Sequence, residues 1–378
     1  MLGLWHCSRA WKTPWTRRLL PPIVTRMSRK PTQDLRRGWT TGACATAATK
    51  AALVALWGGE FPDQVTITLP KGETPVFGLA YTDRGVGWAE VGIVKDAGDD
   101  PDVTHGALIR ARVDCVGMGV SFCAGEGVGT VTKPGLPLKV GEPAINPKPR
   151  EMMTDVVHQV AAKFGQPANV RITISIPGGQ KIAEKTWNGR LGIKGGLSVL
   201  GTTGVVRPFS CAAWIASIHR GVDVAVASGQ THVAGCTGAT SETVVQKLYD
   251  LPDHAMLDMG DFAGGLLKYL KKHPVVRLTI GGGIGKITKL AQGAVDLHSD
   301  RSQVDFAALG EVAKSVKAPD VSGVNTALQA YGIAGKPLAN AVAEAARVHV
   351  ADFLGGQIAV DIVVIDRAGM IIARAGEA

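Results

Sequence analysis

The sequence predicts a two-domain fold that mixes α+β and α/β architecture. An α+β domain of helix–strand–hairpin units is interrupted by a smaller parallel-sheet α/β domain. Three observations predict it. A helix–strand–turn rhythm recurs near residues 45–81, 149–179 and 338–373. Between its second and third copies, strands and helices alternate with short connections, as around a parallel sheet. The 378 residues are 46% hydrophobic and 19% charged, enough for two apolar cores. On the chain this gives a disordered basic extension over 1–34, the α+β domain over 35–204 and 323–378, and the inserted α/β domain over 205–322.

The elements follow in order. Thr40-Thr41-Gly42-Ala43-Cys44 opens an Ala-rich helix over 45–57, with threonine at the entry to cap the first-turn amides. Residues 65–69 (Val-Thr-Ile-Thr-Leu) alternate like a half-buried strand, and Pro70-Lys71-Gly72 turns the chain into 76–81. Strand-like runs at 86–94 and 107–116 flank a polar loop. Residues 149–164 place Met152, Val156, Val157, Val160 and Phe164 on one helical face. A strand over 170–176 and the turn Pro177-Gly178-Gly179 follow.

In the inserted domain, 222–227 reads as an apolar strand, 229–238 as a loop and 239–249 as a helix. A strand over 255–259, the turn Gly260-Asp261 and a helix over 262–272 come next. A strand over 275–280 runs into a glycine-rich loop over 281–286 and another helix. Residues 319–323 form the return linker. A helix over 338–354 and a hairpin of strands at 358–365 and 370–373 complete the first domain.

Charge and cysteines narrow the function classes. Net charge is +9, but residues 1–37 carry nine Lys/Arg against Asp34 alone, so +8 belongs to the amino-terminal part. The body is close to neutral and shows no bulk signature of a nucleic-acid binder. The extension lacks the apolar core of a secretory signal; a transit peptide is the other reading, and Met27 the expected natural start. The six cysteines form no C-x-x-C pair, so no zinc site is expected, and their spread fits a reducing cytoplasm. No apolar run is long enough to span a bilayer. No membrane or nucleic-acid partner is expected.

The polar loop Lys95-Asp96-Ala97-Gly98-Asp99-Asp100-Pro101-Asp102-Val103-Thr104-His105-Gly106 is the leading candidate site. Its other reading is a solvated surface loop. Its aspartates lack calcium-loop spacing and a closing glutamate, which leaves magnesium as the weaker metal alternative; no metal site is assigned. No nucleophile motif is present.

A second candidate lies at the strand ends of the α/β domain, where open parallel sheets bind ligands. The first strand offers Ser228, Gly229, Thr231, His232, Gly235, Thr237 and Gly238. The second offers Asp258, Gly260 and Asp261, and the third Gly281, Gly282, Gly283, Gly285 and Lys286. That third loop is no phosphate-binding P-loop, because Ile287 follows the lysine. The Gly- and Thr-rich stretches at 187–196 and 200–210 read as a cleft wall.

Taken together, several stretches closely resemble the cobalt-precorrin-5B C(1)-methyltransferase family of anaerobic cobalamin biosynthesis. They are Gly38-Trp39-Thr40-Thr41-Gly42-Ala43-Cys44-Ala45, the loop over 94–106, Gly127-Val128-Gly129-Thr130-Val131-Thr132-Lys133-Pro134-Gly135-Leu136 and Gly141-Glu142-Pro143-Ala144-Ile145-Asn146-Pro147. They continue with Leu200-Gly201-Thr202-Thr203-Gly204 and with Gly285-Lys286-Ile287-Thr288-Lys289-Leu290-Ala291 leading to His298-Ser299. The resemblance covers about residues 35–375.

The resemblance implies S-adenosyl-L-methionine as methyl donor, consumed as a co-substrate. It implies methylation at C1 of a tetrapyrrole whose cobalt belongs to the substrate. It brings no residue-level assignment, so roles are argued from chemistry. A sulfonium cation and the donor's carboxylate suit carbonyls, carboxylates and glycine amides: Gly229, Thr231, Gly235, Thr237, Gly238, Asp258, Gly281, Gly282, Gly283 and Gly285. The tetrapyrrole's carboxylates suit Thr40, Thr41, Lys95, Lys133, Thr202, Thr203, Lys286 and His298. Asp96, Asp99 and Asp102 would balance charge between the ligands, and His105 would move a proton. A corrinoid carrier without transferase activity is the alternative. The expected partner is the tetrapyrrole, in the cytoplasm, with a homo-oligomer or transient contacts to neighbouring pathway enzymes compatible with the sequence.

Overall fold

The computed structural model describes residues 35–376, so the extension expected over 1–34 lies outside the described residues. Helices and sheets are mixed, and the chain divides into two compact units, one ending at Trp214 and the other starting at Ile215.

In the first unit, β1 (Gly38–Trp39) leads into α1 (Thr41–Gly58). The Thr40 hydroxyl accepts the Ala43 N–H at 3.2 Å, and Gly59 ends the helix at φ 91°. β2 (Gln64–Thr66) and β3 (Val76–Gly78) make a small ribbon, and β4 (Tyr81–Gly85), β5 (Trp88–Val94) and β6 (Leu108–Asp114) an antiparallel meander. Then come β7 (Val120–Ala124), β8 (Thr130–Val131), α2 (Pro147–Phe164), β9 (Val170–Ser175), α3 (Gly179–Ala183), β10 (Ile193–Lys194) and β11 (Val205–Val206). The main sheet runs β4-β5-β6-β9-β7, with only β7 and β9 parallel.

α1 is buried on nearly every side. Its alanines and Cys44 let the backbone approach the sheet at Ala89, Val91, Ile109 and Ala111, and α2 at Met153 and Val157. β1 pairs with β11, which fastens the start of α1 to the end of the unit.

In the second unit, the part of α4 (Cys211–Ala227) from Ile215 onward precedes β12 (His232–Cys236), α5 (Ala239–Tyr249), β13 (Met256–Leu257), α6 (Ala263–Leu270) and β14 (Arg277–Gly282). α7 (Ile284–Ala291), α8 (Phe306–Ser315), α9 (Ala327–Leu354), β15 (Ala359–Ile365) and β16 (Ile371–Ala375) complete it. The sheet order is β13-β12-β14-β15-β16, parallel except for β16. α5 covers one face through Val245, and α6, α7 and α9 cover the other through Leu266, Ile287 and Val342.

Three expectations are corrected here. Residues 222–227 are the end of α4, not a strand: Ile218, Val222 and Ala225 fall on one helical face and pack into the core. A short apolar run fits either period. Residues 232–236, expected in a loop, are β12, a central strand. Its Gly235 carries no apolar signal but lies where a Cβ would sit 2.5 Å from Leu266 and 3.1 Å from Met259, so glycine sets the strand-to-helix distance.

The third concerns the domain boundaries. Residues 323–378 were expected with the amino-terminal domain. Instead β15 adds to β14 in parallel, pairing Arg277 with Ala359 through Gly282 with Val364, so no α/β insert ends at 322. The reason is a core requirement: Ile362, Val363 and Val364 are fully buried, and both sheet faces here are covered by helices of the second unit.

Candidate functional site

Each unit holds one cluster of the expected site residues. In the first, the acidic loop extends the β5–β6 hairpin. The Lys95 N–H donates to Ala107 O and the Gly106 N–H to Lys95 O, both at 2.8 Å. The Lys95 side chain turns inward, 1% exposed, and its ammonium meets Asp102 Oδ2 at 2.6 Å. The other oxygen, Asp102 Oδ1, accepts the Thr104 N–H at 2.8 Å and hydroxyl at 2.6 Å. Burial pushes the Asp102 carboxyl up, but Lys95 and the Thr104 donors outweigh it and hold it below the ordinary range.

Asp96 is gripped by both terminal nitrogens of Arg36, and the Gly98 N–H donates to its Oδ1 at 2.9 Å. The Arg36 hydrogen bonds, then the Gly98 amide, draw its carboxyl down to about 2. Asp99 Oδ2 accepts the Arg36 backbone N–H at 2.6 Å, and Asp100 Oδ1 accepts the Phe209 N–H at 2.8 Å. The Ala97 N–H donates to His105 Nδ1 at 3.1 Å, so the proton of the neutral ring sits on the half-exposed Nε2 side. His105 therefore presents a hydrogen-bond donor outward. All four aspartates are tied to donors of the protein, and Asp96 and His105 keep about half of their side-chain surface exposed.

The two threonines expected to bind substrate are buried. Thr40 caps α1, and its N–H donates to Gly204 O at 2.9 Å. The Thr41 hydroxyl donates to Leu200 O at 3.2 Å and accepts the Leu200 N–H at 3.0 Å. The two threonines thus clamp the Leu200–Gly204 segment; Thr203 folds back on Val205 and Thr202 is exposed. Lys133 lies over Gly192, where a Cβ would sit 2.5 Å from it, with its ammonium unpaired among the described residues. The Cys44 thiol, buried behind this clamp, is pushed up to about 12 by burial, with the nearby Lys95 charge pulling it partly back. At neutral pH it is no nucleophile.

The second cluster lines the carboxyl edge of the second unit's sheet. The strand order reverses direction between β12 and β14: β12 connects outward to β13, and β14 outward to β15. That crevice is flanked by Thr237 and Gly238 after β12 and by Gly281 to Gly283 in and after β14. Gly238 and Gly283 are the N-caps of α5 and α7 and give no side-chain cap. A Cβ on Gly238 would meet nothing within 4 Å, and one on Gly283 only Ile365 O at 3.9 Å, so both face open space. Gly281 and Gly282 are packing glycines, with Val245 at 2.6 Å and Thr237 at 2.7 Å from a built Cβ. Lys286 in the first turn of α7 pairs with Asp261 at 2.7 Å and donates to Thr237 O at 3.1 Å, tying three loops together.

The structure sorts the expected residues. Gly229 and Thr231 precede β12 and sit at the opposite, amino edge of the sheet, away from Thr237 and Gly238. Gly235 is inside the strand. Thr237, Gly238, Gly283 and Gly285 share the carboxyl edge with Lys286, which was expected on the substrate side. Asp258 follows β13, and His298 follows a segment held to Asp261 by the Leu297 N–H at 2.8 Å. Thr40, Thr41, Lys95, Lys133, Thr202 and Thr203 all belong to the first unit.

Arg36 was not among the expected site residues, and Phe209 was expected only as part of the 200–210 cleft wall. Arg36 enters the sequence reading only through the charge of residues 1–37, although it lies two residues before the 38–45 motif. Among the described residues, no group of three or more His, Cys, Asp or Glu is arranged to hold a metal ion, and no helix is long and apolar enough to cross a membrane.

Comparison with known proteins follows this division. The CbiD family profile matches residues 28–208, and the profile of the CbiD C-terminal domain matches 296–376. A cobalt-precorrin-5B C(1)-methyltransferase of Brucella anthropi is 60% identical over 352 residues, which is 90% of this chain and 96% of the relative. Its counterpart in Brucella canis is 59% identical over the same shares. A crystal structure of cobalamin biosynthesis protein (cbiD) from Archaeoglobus fulgidus is 28% identical, covering 70% of this chain and 82% of that one at a TM-score of 0.39. With both family profiles matched and high identity along most of its length, the chain belongs to the CbiD family.

Proposed function

We propose that this chain transfers a methyl group from S-adenosyl-L-methionine to C1 of cobalt-precorrin-5B, giving cobalt-precorrin-6A in cobalamin biosynthesis in the cytoplasm. The observation that carries this is 60% identity, along 90% of the chain, to a relative named for that C1 methylation.

The donor site we assign is the carboxyl edge of the second unit. Gly238 and Gly283 leave the space a ligand needs, and the uncapped amides of α5 and α7 suit its carboxylate. When bound, the donor supplies an electrophilic methyl on a sulfonium. The chain's own part is positioning: Lys286 pairs with Asp261 and donates to Thr237 O, which fixes the loops that line the crevice. In the reaction the C1–CH3 bond forms as the S–CH3 bond breaks, with the bonding pair leaving on sulfur. Alignment and exclusion of water are the main demands on the protein.

The acidic loop is assigned to the tetrapyrrole side. Asp96 supplies fixed negative charge and His105 an outward N–H. Lys133, without an ion-pair partner among the described residues, and exposed Thr202 are the first unit's groups for the substrate's carboxylates.

Calorimetry with S-adenosylhomocysteine tests the donor site. The wild-type protein binds it, and Gly283→Val, which fills the open space without a backbone clash, weakens binding at least tenfold. Tetrapyrrole binding with no affinity for S-adenosylhomocysteine makes the chain a carrier instead.

A further inference from the structure

Phe209 lies in the 200–210 stretch that the sequence marks as a cleft wall. It adopts φ +54°, a left-handed conformation that a bulky aromatic residue rarely holds. The residue is 67% exposed, so no packing energy explains the conformation. What holds the backbone is Asp100, whose Oδ1 accepts the Phe209 N–H at 2.8 Å. The acidic loop thus holds a strained turn whose visible product is an aromatic ring in solvent. Strain of this kind is a mark of functional positions.

The same turn carries unpaired positive charge. β1 and β11 pair Gly38 with Val206, the last pair of their ladder, and Arg37 and Arg207 are the residues that flank it. Arg37 also bridges to Gly98 of the acidic loop. Both arginines are exposed, and among the described residues neither guanidinium has an acidic partner. Two exposed guanidiniums at the end of this ladder, beside an exposed aromatic residue, match a ligand with a broad apolar face and a rim of carboxylates.

We propose that Phe209, Arg37 and Arg207 contact the tetrapyrrole, with Phe209 against the face of the macrocycle and the arginines on its peripheral carboxylates. Asp100 is the positioning residue: it touches no ligand and holds the Phe209 backbone in the conformation that presents the ring. This rests on the methyltransferase reading above and names its substrate contacts.

Steady-state kinetics with each substrate varied in turn, alongside thermal melting, tests it. Phe209→Gly removes the ring but accepts φ +54° freely, so the melting temperature stays equal or rises. The KM for the tetrapyrrole rises about tenfold, the size of one lost aromatic contact. The KM for S-adenosylmethionine does not change. Asp100→Ala raises the tetrapyrrole KM in the same direction, and Asp100→Asn, whose amide oxygen still accepts the N–H, restores it. The Arg37→Gln/Arg207→Gln double variant raises the tetrapyrrole KM about tenfold or more and flattens its dependence on salt. An enzyme that transfers methyl normally and keeps the wild-type tetrapyrrole KM in all of these variants overturns the contact site alone. A wild-type protein that binds no tetrapyrrole overturns the methyltransferase reading and the contact site with it.

Discussion

The Lys95 ammonium sits 2.6 Å from the Asp102 carboxylate with its own side chain 1% exposed, so a full positive charge is buried beneath the acidic loop on one acidic partner. Removing that partner leaves the ammonium uncompensated. Asp102→Ala is expected to destabilise the protein by about 3 kcal/mol, the lower end of the range for a broken buried pair, because Asp102 is partly exposed. Urea unfolding measures it.

The same pair sets an acid dependence. The Asp102 carboxyl lies lower in the folded protein than the ordinary unfolded value near 3.9. Its contribution is therefore present above about pH 4 and lost as pH falls through the depressed folded value. Unfolding curves between about pH 5 and 2 are expected to be flatter for Asp102→Ala than for the wild type. Identical slopes would show that the pair carries no linkage.

Arg36→Gln tests the grip on Asp96. In the wild type this carboxyl titrates at about 2. Without the guanidinium, NMR titration is expected to find it moved up towards the ordinary carboxylate range. The change in stability is small, because both side chains are about half exposed and screened by solvent.

The Thr41 clamp gives a matched pair of variants. Thr41→Val keeps the shape and deletes both hydrogen bonds to Leu200, costing about 1–3 kcal/mol because the freed groups stay part-buried. Thr41→Ser keeps the hydroxyl and most of the stability. Equal melting temperatures for the two variants would remove the clamp from this account.

How far the sequence could be read depended on whether the deciding contact was local. α1 was legible because a threonine cap and an alanine run act within one helix. β12 was not, because Ala234 and Gly235 look like loop residues until both sheet faces are covered. The strand β15 was recognised as a strand, but its neighbour is chosen by the second unit's core, and Arg277, which pairs with its Asp361, is 84 residues away. The acidic loop was picked out by composition, whereas Arg36 and Phe209 lie 60 and 109 residues from the aspartates they hold.

The placement of β15 can be checked directly. Ile362→Ala empties a fully buried position of the second core and is expected to cost about 2–5 kcal/mol. Amide exchange should accelerate in β12 and β14 and stay unchanged in β5 and β6. The reverse pattern would return the carboxyl-terminal hairpin to the first unit.

The most direct test of the central claim follows a labelled methyl group. The purified protein is incubated with methyl-labelled S-adenosylmethionine and cobalt-precorrin-5B, and the tetrapyrrole is examined by mass spectrometry and NMR. The expected product carries one labelled methyl, bonded to C1, with one S-adenosylhomocysteine formed per turnover. A tetrapyrrole that is bound by the protein but recovered without label would contradict it.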